Sequence, residues 1–138
     1  MSNLYEQDFY QWTIEQSNLL KAGALSQLDI ENLIEEVESM GKSQKKELFS
    51  RMAVLLMHLL KWDYQTEHRS GSWKSTILTQ RRELKFLLQD NPSLKRIIPD
   101  AVISVYSDSR LSAAAETGLS ESAFPGTCPY TIEQIMGD

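Results

Sequence analysis

The feature that most constrains this chain is a long apolar stripe with helical spacing. Large apolar side chains recur along one helix face between residues 30 and 40, and the same spacing continues between residues 48 and 59: Ile30, Leu33, Ile34, Val37 and Met40, then Leu48, Met52, Leu55, Leu56 and Leu59. Apolar residues at three- and four-residue intervals indicate an amphipathic helix. Gly41 lies between the two runs, where it costs about 1 kcal/mol relative to alanine in a helix interior. The pattern therefore allows either one long helix or two helices joined near residues 41–44.

Helical spacing extends over nearly the whole chain, and no strand-like alternation competes with it. The prediction is an all-α fold, a single-domain helical bundle of four main helices, one of them long and open to a break near Gly41, with a short C-terminal helical appendage; one domain covers residues 1–138. The first helix is predicted to begin at an Asn3–Glu6 capping pair and to stop at Gly23, and Asp29 is predicted to cap the long element. A polar loop over residues 63–72 follows, and the next helix is predicted to begin at a Ser72 cap and to end at Asn91–Pro92. The last long helix is predicted to stop at Gly118, and a final helical turn covers residues 131–136.

Composition limits the classes of function. The formal net charge of −5 in 138 residues disfavours a general nucleic-acid or anionic-membrane binder, although a local basic patch is still open. The longest apolar run is too short to cross a membrane, and the first residues carry no secretory signal. A single cysteine, Cys128, fits a reducing compartment. We expect a cytoplasmic protein with no membrane association and no cofactor.

Two acidic residues and one histidine are candidates for chemistry. Glu35 and Glu38 share a helix face, whereas Glu36 points elsewhere. If the long element folds back on itself near Gly41, Glu35 or Glu38 approaches His58, and carboxylates with histidine in a helical bundle are how metal sites are built. The chain lacks the duplicated Glu-x-x-His pattern of such sites. We therefore favour the alternative in which Glu35 or Glu38 makes a buried bond to Arg51, Arg81 or Arg82, with no catalytic residue and no metal ligand.

A second candidate combines aromatic and basic side chains around the polar loop. Aromatic rings that stack and cations that hold phosphate are the parts of a nucleic-acid platform. The alternative, which we favour, is that the tryptophans pack into the core and the arginines form ion pairs on a solvated face. The candidate binding residues are Trp62, Arg69, Trp73, Arg81 and Arg82.

Motifs along nearly the whole chain resemble one family. They include YEQDFYQW at residues 5–12, EEVESMG at 35–41, MHLLKW at 57–62, QRR at 80–82, ETGL at 116–119 and CPY at 128–130. This pattern resembles the cyanobacteria-rich family catalogued as domain of unknown function 29. The resemblance implies an all-helical protein and supplies no biochemical role.

The function that we predict is therefore a small helical protein–protein interaction or regulatory module without catalysis. Its partner is another protein or a second copy of the chain. The alternatives are a metal-dependent or acid–base enzyme at Glu35, Glu38 and His58, and a nucleic-acid binder at the Trp/Arg patch. The absence of a complete catalytic set in the sequence favours the first reading.

Overall fold

The computed structural model describes residues 3–138, and within that range it is all-helical with no strand. The α-helices are α1 (Leu4–Gln7), α2 (Phe9–Lys21), α3 (Ile30–Tyr64), α4 (Gly71–Asp90), α5 (Ile98–Thr117) and α6 (Ile132–Met136), and 3-10 turns lie at Leu25–Gln27, Thr66–His68, Pro92–Ile97 and Glu121–Ala123. Four of the helices are long, as predicted, and α6 is the short appendage. Among the described helices, none combines the length and the apolar character needed to cross a bilayer.

Helix α3 is continuous through Gly41, which confirms the single-helix alternative. The helix contains 35 residues, which corresponds to about 50 Å at 1.5 Å per residue. Gly41 has no positive φ angle. Every residue from 38 to 46 is exposed, so neighbouring side chains do not cover this stretch of helix.

The predicted helix boundaries were mostly confirmed, with two corrections. Asn3 makes no capping bond; instead Asp8 interrupts the first predicted helix and its side chain accepts a hydrogen bond from the Gln11 backbone at 3.1 Å. Ser70, not Ser72, caps α4, because the Ser70 side chain accepts from the Trp73 backbone at 3.2 Å. Gly118, with φ of 74°, ends α5 as predicted.

The chain divides into two compact units, Met1–Lys42 and Ser43–Asp138, and the boundary falls inside α3. In the first unit, polar bonds join α2 to the start of α3. The Trp12 indole donates to the Asp29 carboxylate at 3.0 Å, and the Asp29 backbone donates to the Gln16 side chain at 2.8 Å. Trp12 and Gln16 are the buried residues among positions 3–42.

The second unit contains the hydrophobic core. Twenty-one buried side chains from α3 to α6 and the turns between them form one cluster, which begins at Leu48. Side chains also bond backbone carbonyls of neighbouring elements: Ser109 donates to Ala53 at 2.8 Å, and Tyr106 donates to Pro125 at 2.6 Å. Arg81 donates to the carbonyls of Gln134 and Ile135 and thereby holds α6.

Candidate functional site

The acid–histidine cluster depended on a fold-back near Gly41, and the continuous helix α3 does not provide one. Glu35 and Glu38 are exposed, so the alternative of a buried bond from either of them to an arginine is also wrong. Arg51 pairs with Glu47 at 2.9 Å within the second unit, and Arg81 bonds backbone carbonyls. The Tyr5 hydroxyl donates a hydrogen bond to Glu36. Glu36 is the acid that helix spacing places away from Glu35 and Glu38.

His58 is a half-buried residue of the second unit. Its Nδ1 lies 2.9 Å from the Val54 carbonyl oxygen, one helical turn back, so this nitrogen carries the proton and donates. Burial is the main cause that lowers the pKa of His58 from its usual value of 6.5. Among residues 3–138, no group of three or more His, Cys, Asp or Glu side chains is arranged to hold a metal ion.

Most of the predicted Trp/Arg set bonds to other parts of the second unit. Arg69 donates to the Trp62 carbonyl at 2.8 Å, and its guanidinium lies 4.7 Å from the Trp62 ring centre. Trp73 receives the ammonium of the buried Lys61 at 5.0 Å from its ring centre. Arg82 is largely exposed and lies 3.7 Å from Glu83. These cations therefore have partners within the chain.

Two members of that set, Trp62 and Arg81, line a cleft of about 420 Å³. Lys74, Asp63 and Tyr130 also line it. The Tyr130 hydroxyl donates to the Asp63 carboxylate at 2.7 Å, and burial raises the pKa of Tyr130. A carboxylate among the cations offsets their attraction for a phosphate group, so this cleft does not favour an anionic ligand.

The first unit carries a largely apolar groove between α2 and the first part of α3. We call it the α2–α3 groove; its volume is about 530 Å³, and its apolar lining consists of Phe9, Trp12, Leu20, Leu33, Val37 and Met40. Val37 and Met40 are 60% and 61% exposed. The rings of Phe9 and Trp12 stack with their centres 5.6 Å apart and form one wall.

Hydrogen bonds fix two acidic side chains of the first unit, Asp29 and Glu36, and Glu36 lines the groove. Asp29 accepts from the Asn32 side chain at 2.8 Å as well as from Trp12, and these bonds lower the pKa of Asp29. The bond to Glu36 is the largest cause that raises the pKa of Tyr5, to about 12. The donors in these pairs are uncharged groups, so none of these bonds is an ion pair.

Sequence reasoning missed this groove. It identified the apolar residues between positions 30 and 40 but treated them as one apolar face that Leu48 to Leu59 continue, without separating an exposed part from a buried part. A second signal was present in the sequence: residues 1–42 contain eight acidic and only two basic side chains. An apolar stripe inside a strongly acidic segment indicates a face that lies outside the protein's own core and is open to solvent or to a partner.

Comparison with known proteins identifies the family. No curated protein and no solved structure is significantly similar to this chain. A family model described as "Domain of unknown function DUF29" matches residues 4–138. The match covers nearly the whole chain, and the protein belongs to the DUF29 family.

Proposed function

We propose that this protein is a non-catalytic interaction module that binds another protein through the α2–α3 groove. The reducing environment indicated by the single cysteine fits a role in the cytoplasm. The second unit acts as the stable base, and the first unit presents the binding surface.

One observation carries the proposal, namely that large apolar side chains are concentrated on the surface of the first unit. Of the fourteen large apolar residues that are exposed in the described chain, eight lie between positions 9 and 40: Phe9, Tyr10, Leu20, Leu25, Ile30, Ile34, Val37 and Met40. Scattered apolar residues are normal on a protein surface, whereas contiguous ones mark interaction sites. Four of these eight residues, Phe9, Leu20, Val37 and Met40, line the α2–α3 groove.

The contrast with the second unit supports the same reading. There the apolar side chains of the long helix are fully buried, as for Leu48, Leu55 and Leu56 at 0% exposure. The first unit has no comparable cluster among its described residues, so its exposed apolar side chains gain further stabilisation when a partner covers them.

The other two candidate functions have less support. An acid–base or metal enzyme needs Glu35, Glu38 and His58 in one place, which the continuous helix does not provide. A nucleic-acid platform needs free cations beside open rings, whereas Arg69 and Arg81 already bond backbone carbonyls.

Site-specific photo-crosslinking in the source cell tests the proposal. A photoreactive amino acid at Val37 should give reproducible crosslinked protein products. The matched control is the same probe at Ile103, an apolar residue of α5 that is 78% exposed but lies outside the groove. Equal products from both positions, or no product from Val37, would contradict the proposal.

A further inference from the structure

The charge of the first unit restricts what can occupy its groove. Residues 1–42 contain eight acidic and two basic side chains, a net charge of −6, whereas residues 43–138 contain eleven acidic and twelve basic side chains, a net charge of +1. The segment with the apolar groove therefore carries more negative charge than the whole protein.

Ion pairs within the described chain leave this charge uncompensated. The salt bridges at Arg51, Lys61, Arg82 and Lys85 all lie in the second unit. Across positions 3–42, no carboxylate forms an ion pair, and Glu36 and Asp29 accept hydrogen bonds from uncharged groups. The carboxylates of Glu31, Glu35 and Glu38, which are exposed, therefore face solvent without a cationic partner.

Helix geometry places these charges beside the apolar stripe of α3. Glu31 and Glu38 lie three residues before and four residues after Ile34, which puts both on the same flank of the stripe. Glu36 lines the groove on the other side of Val37, and Lys21 at the end of α2 lines the groove as well. The stripe is therefore bordered by carboxylates on both flanks.

We infer that the occupant of the α2–α3 groove is a basic amphipathic helix of a partner protein; this inference rests on the binding function proposed above. An apolar face with flanking Lys or Arg residues matches an apolar groove with flanking carboxylates. Phe9 and Leu20 are eleven residues apart on α2, which corresponds to about 16 Å and to about three turns of a docked helix.

Charge also decides between this partner and the other possible occupants. A second copy would bring another segment of net charge −6 against the first, and like charges at an interface oppose association. An anionic membrane is repelled for the same reason. A helix with surplus Lys and Arg is instead attracted by the negative charge of the first unit.

The test uses two labelled peptides of about 18 residues, long enough for a helix to form on binding. Both have leucines at the same helical spacing, but one has lysines and the other glutamates at the polar positions. Fluorescence anisotropy with the full chain should show that the lysine peptide binds at least about tenfold more tightly at low salt, and the difference should shrink at high salt.

Two pairs of variants separate the apolar contribution from the charge contribution. Val37→Gln with Met40→Gln removes apolar contacts at exposed positions without changing the charge, and Ile103→Gln is its control. Glu31→Gln, Glu35→Gln and Glu38→Gln together remove three charges beside the apolar stripe of α3. Their control is the triple variant at the exposed acids Glu67, Glu121 and Glu133 of the second unit, which has the same net charge.

The expected result is that both groove variants weaken binding of the lysine peptide by about tenfold, whereas both controls bind as the wild type does. If Val37→Gln with Met40→Gln has no effect, the groove is not the binding surface and the proposed function fails. If that variant weakens binding but the glutamate peptide binds as well as the lysine peptide, binding at the groove stands and the basic partner is overturned.

Sedimentation velocity completes the test. The wild type should be a monomer at the concentrations used. A wild-type dimer that Val37→Gln with Met40→Gln converts to monomer would make a second copy the occupant and would overturn the basic partner.

Discussion

The two units of this protein use the same helix in opposite ways. In the second unit, the apolar face of α3 is buried among α4, α5 and α6, and Leu48, Leu55 and Leu56 are inaccessible to solvent. In the first unit, the corresponding face is largely exposed at Ile34, Val37 and Met40. A single amphipathic pattern thus stabilises the fold at one end and leaves a surface available for binding at the other.

The difference shows that helical periodicity predicts which face is apolar but not whether that face is covered. Burial needs neighbouring elements, and the second unit has three further helices whereas the first has one long and one short helix. The units also differ in charge. The first unit, which lacks a core, carries the excess of carboxylates.

The largest contrast should appear between matched core and groove substitutions. Leu56→Ala should reduce the free energy of unfolding by about 2–5 kcal/mol, because it leaves a cavity in the core. Met40→Ala should change it by less than about 0.5 kcal/mol, because Met40 has little burial to lose. Chemical denaturation of both variants checks this comparison. A loss for Met40→Ala as large as that for Leu56→Ala would mean that the groove face is already covered.

The first unit should depend on a polar anchor more than on a core. Trp12→Phe removes the indole N–H that donates to Asp29, and we expect a loss of about 1–2 kcal/mol. Hydrogen exchange should locate the loss in residues 3–42. Tyr10→Phe is the control within the same unit, since Tyr10 is 75% exposed and should be neutral. Increased exchange spread evenly over both units would contradict a local anchor.

The junction within α3 should respond to helix propensity alone. Gly41→Ala should stabilise the helix by about 1 kcal/mol, because an added Cβ has open space and the backbone is helical. Gly118→Ala should destabilise, because Gly118 has a left-handed backbone with φ of 74°. Melting temperatures of the two variants should move in opposite directions. A lower melting temperature for Gly41→Ala would indicate a joint at residue 41.

The smallest effect should be a pH dependence in the second unit. Burial lowers the pKa of His58 in the folded protein below its usual value of 6.5, so the unfolded chain binds the proton more readily. His58 therefore lowers stability as the pH falls from about 7 to about 5, and its unfavourable effect is absent above the unfolded value. Denaturation at several pH values should show this slope in the wild type and a flatter slope in His58→Gln. An equal slope in both proteins would assign the effect to other groups.

Local chemistry explains the predictions that were confirmed. Asp29 precedes the long helix, Asn91 and Pro92 end α4, and Gly118 ends α5, because capping side chains, proline and a left-handed glycine act on their immediate neighbours. The corrections are of the same local kind. Ser70 and Ser72 are both good caps two residues apart, and only the Ser70 hydroxyl reaches a free backbone N–H.

The site was less predictable because it depends on distant pairs. The bond from Tyr5 to Glu36 joins residues 31 positions apart, and the bond from Trp12 to Asp29 joins residues 17 positions apart. Nothing in the spacing of Glu35, Glu36 and Glu38 indicates which of them meets a tyrosine. Pairing of this kind follows from how α1 and α2 pack on α3.

The amino-acid order alone determines the all-helical class, most of the positions where helices begin and end, the apolar stripe of α3 and the acidic excess of residues 1–42. These properties depend on neighbours within one or two helical turns. Folding in three dimensions determines that Leu55 is buried while Val37 is exposed, and that Arg69 and Arg81 bond backbone carbonyls. Burial and pairing are set by elements far away in the chain, and for that reason the α2–α3 groove becomes visible only in the folded protein.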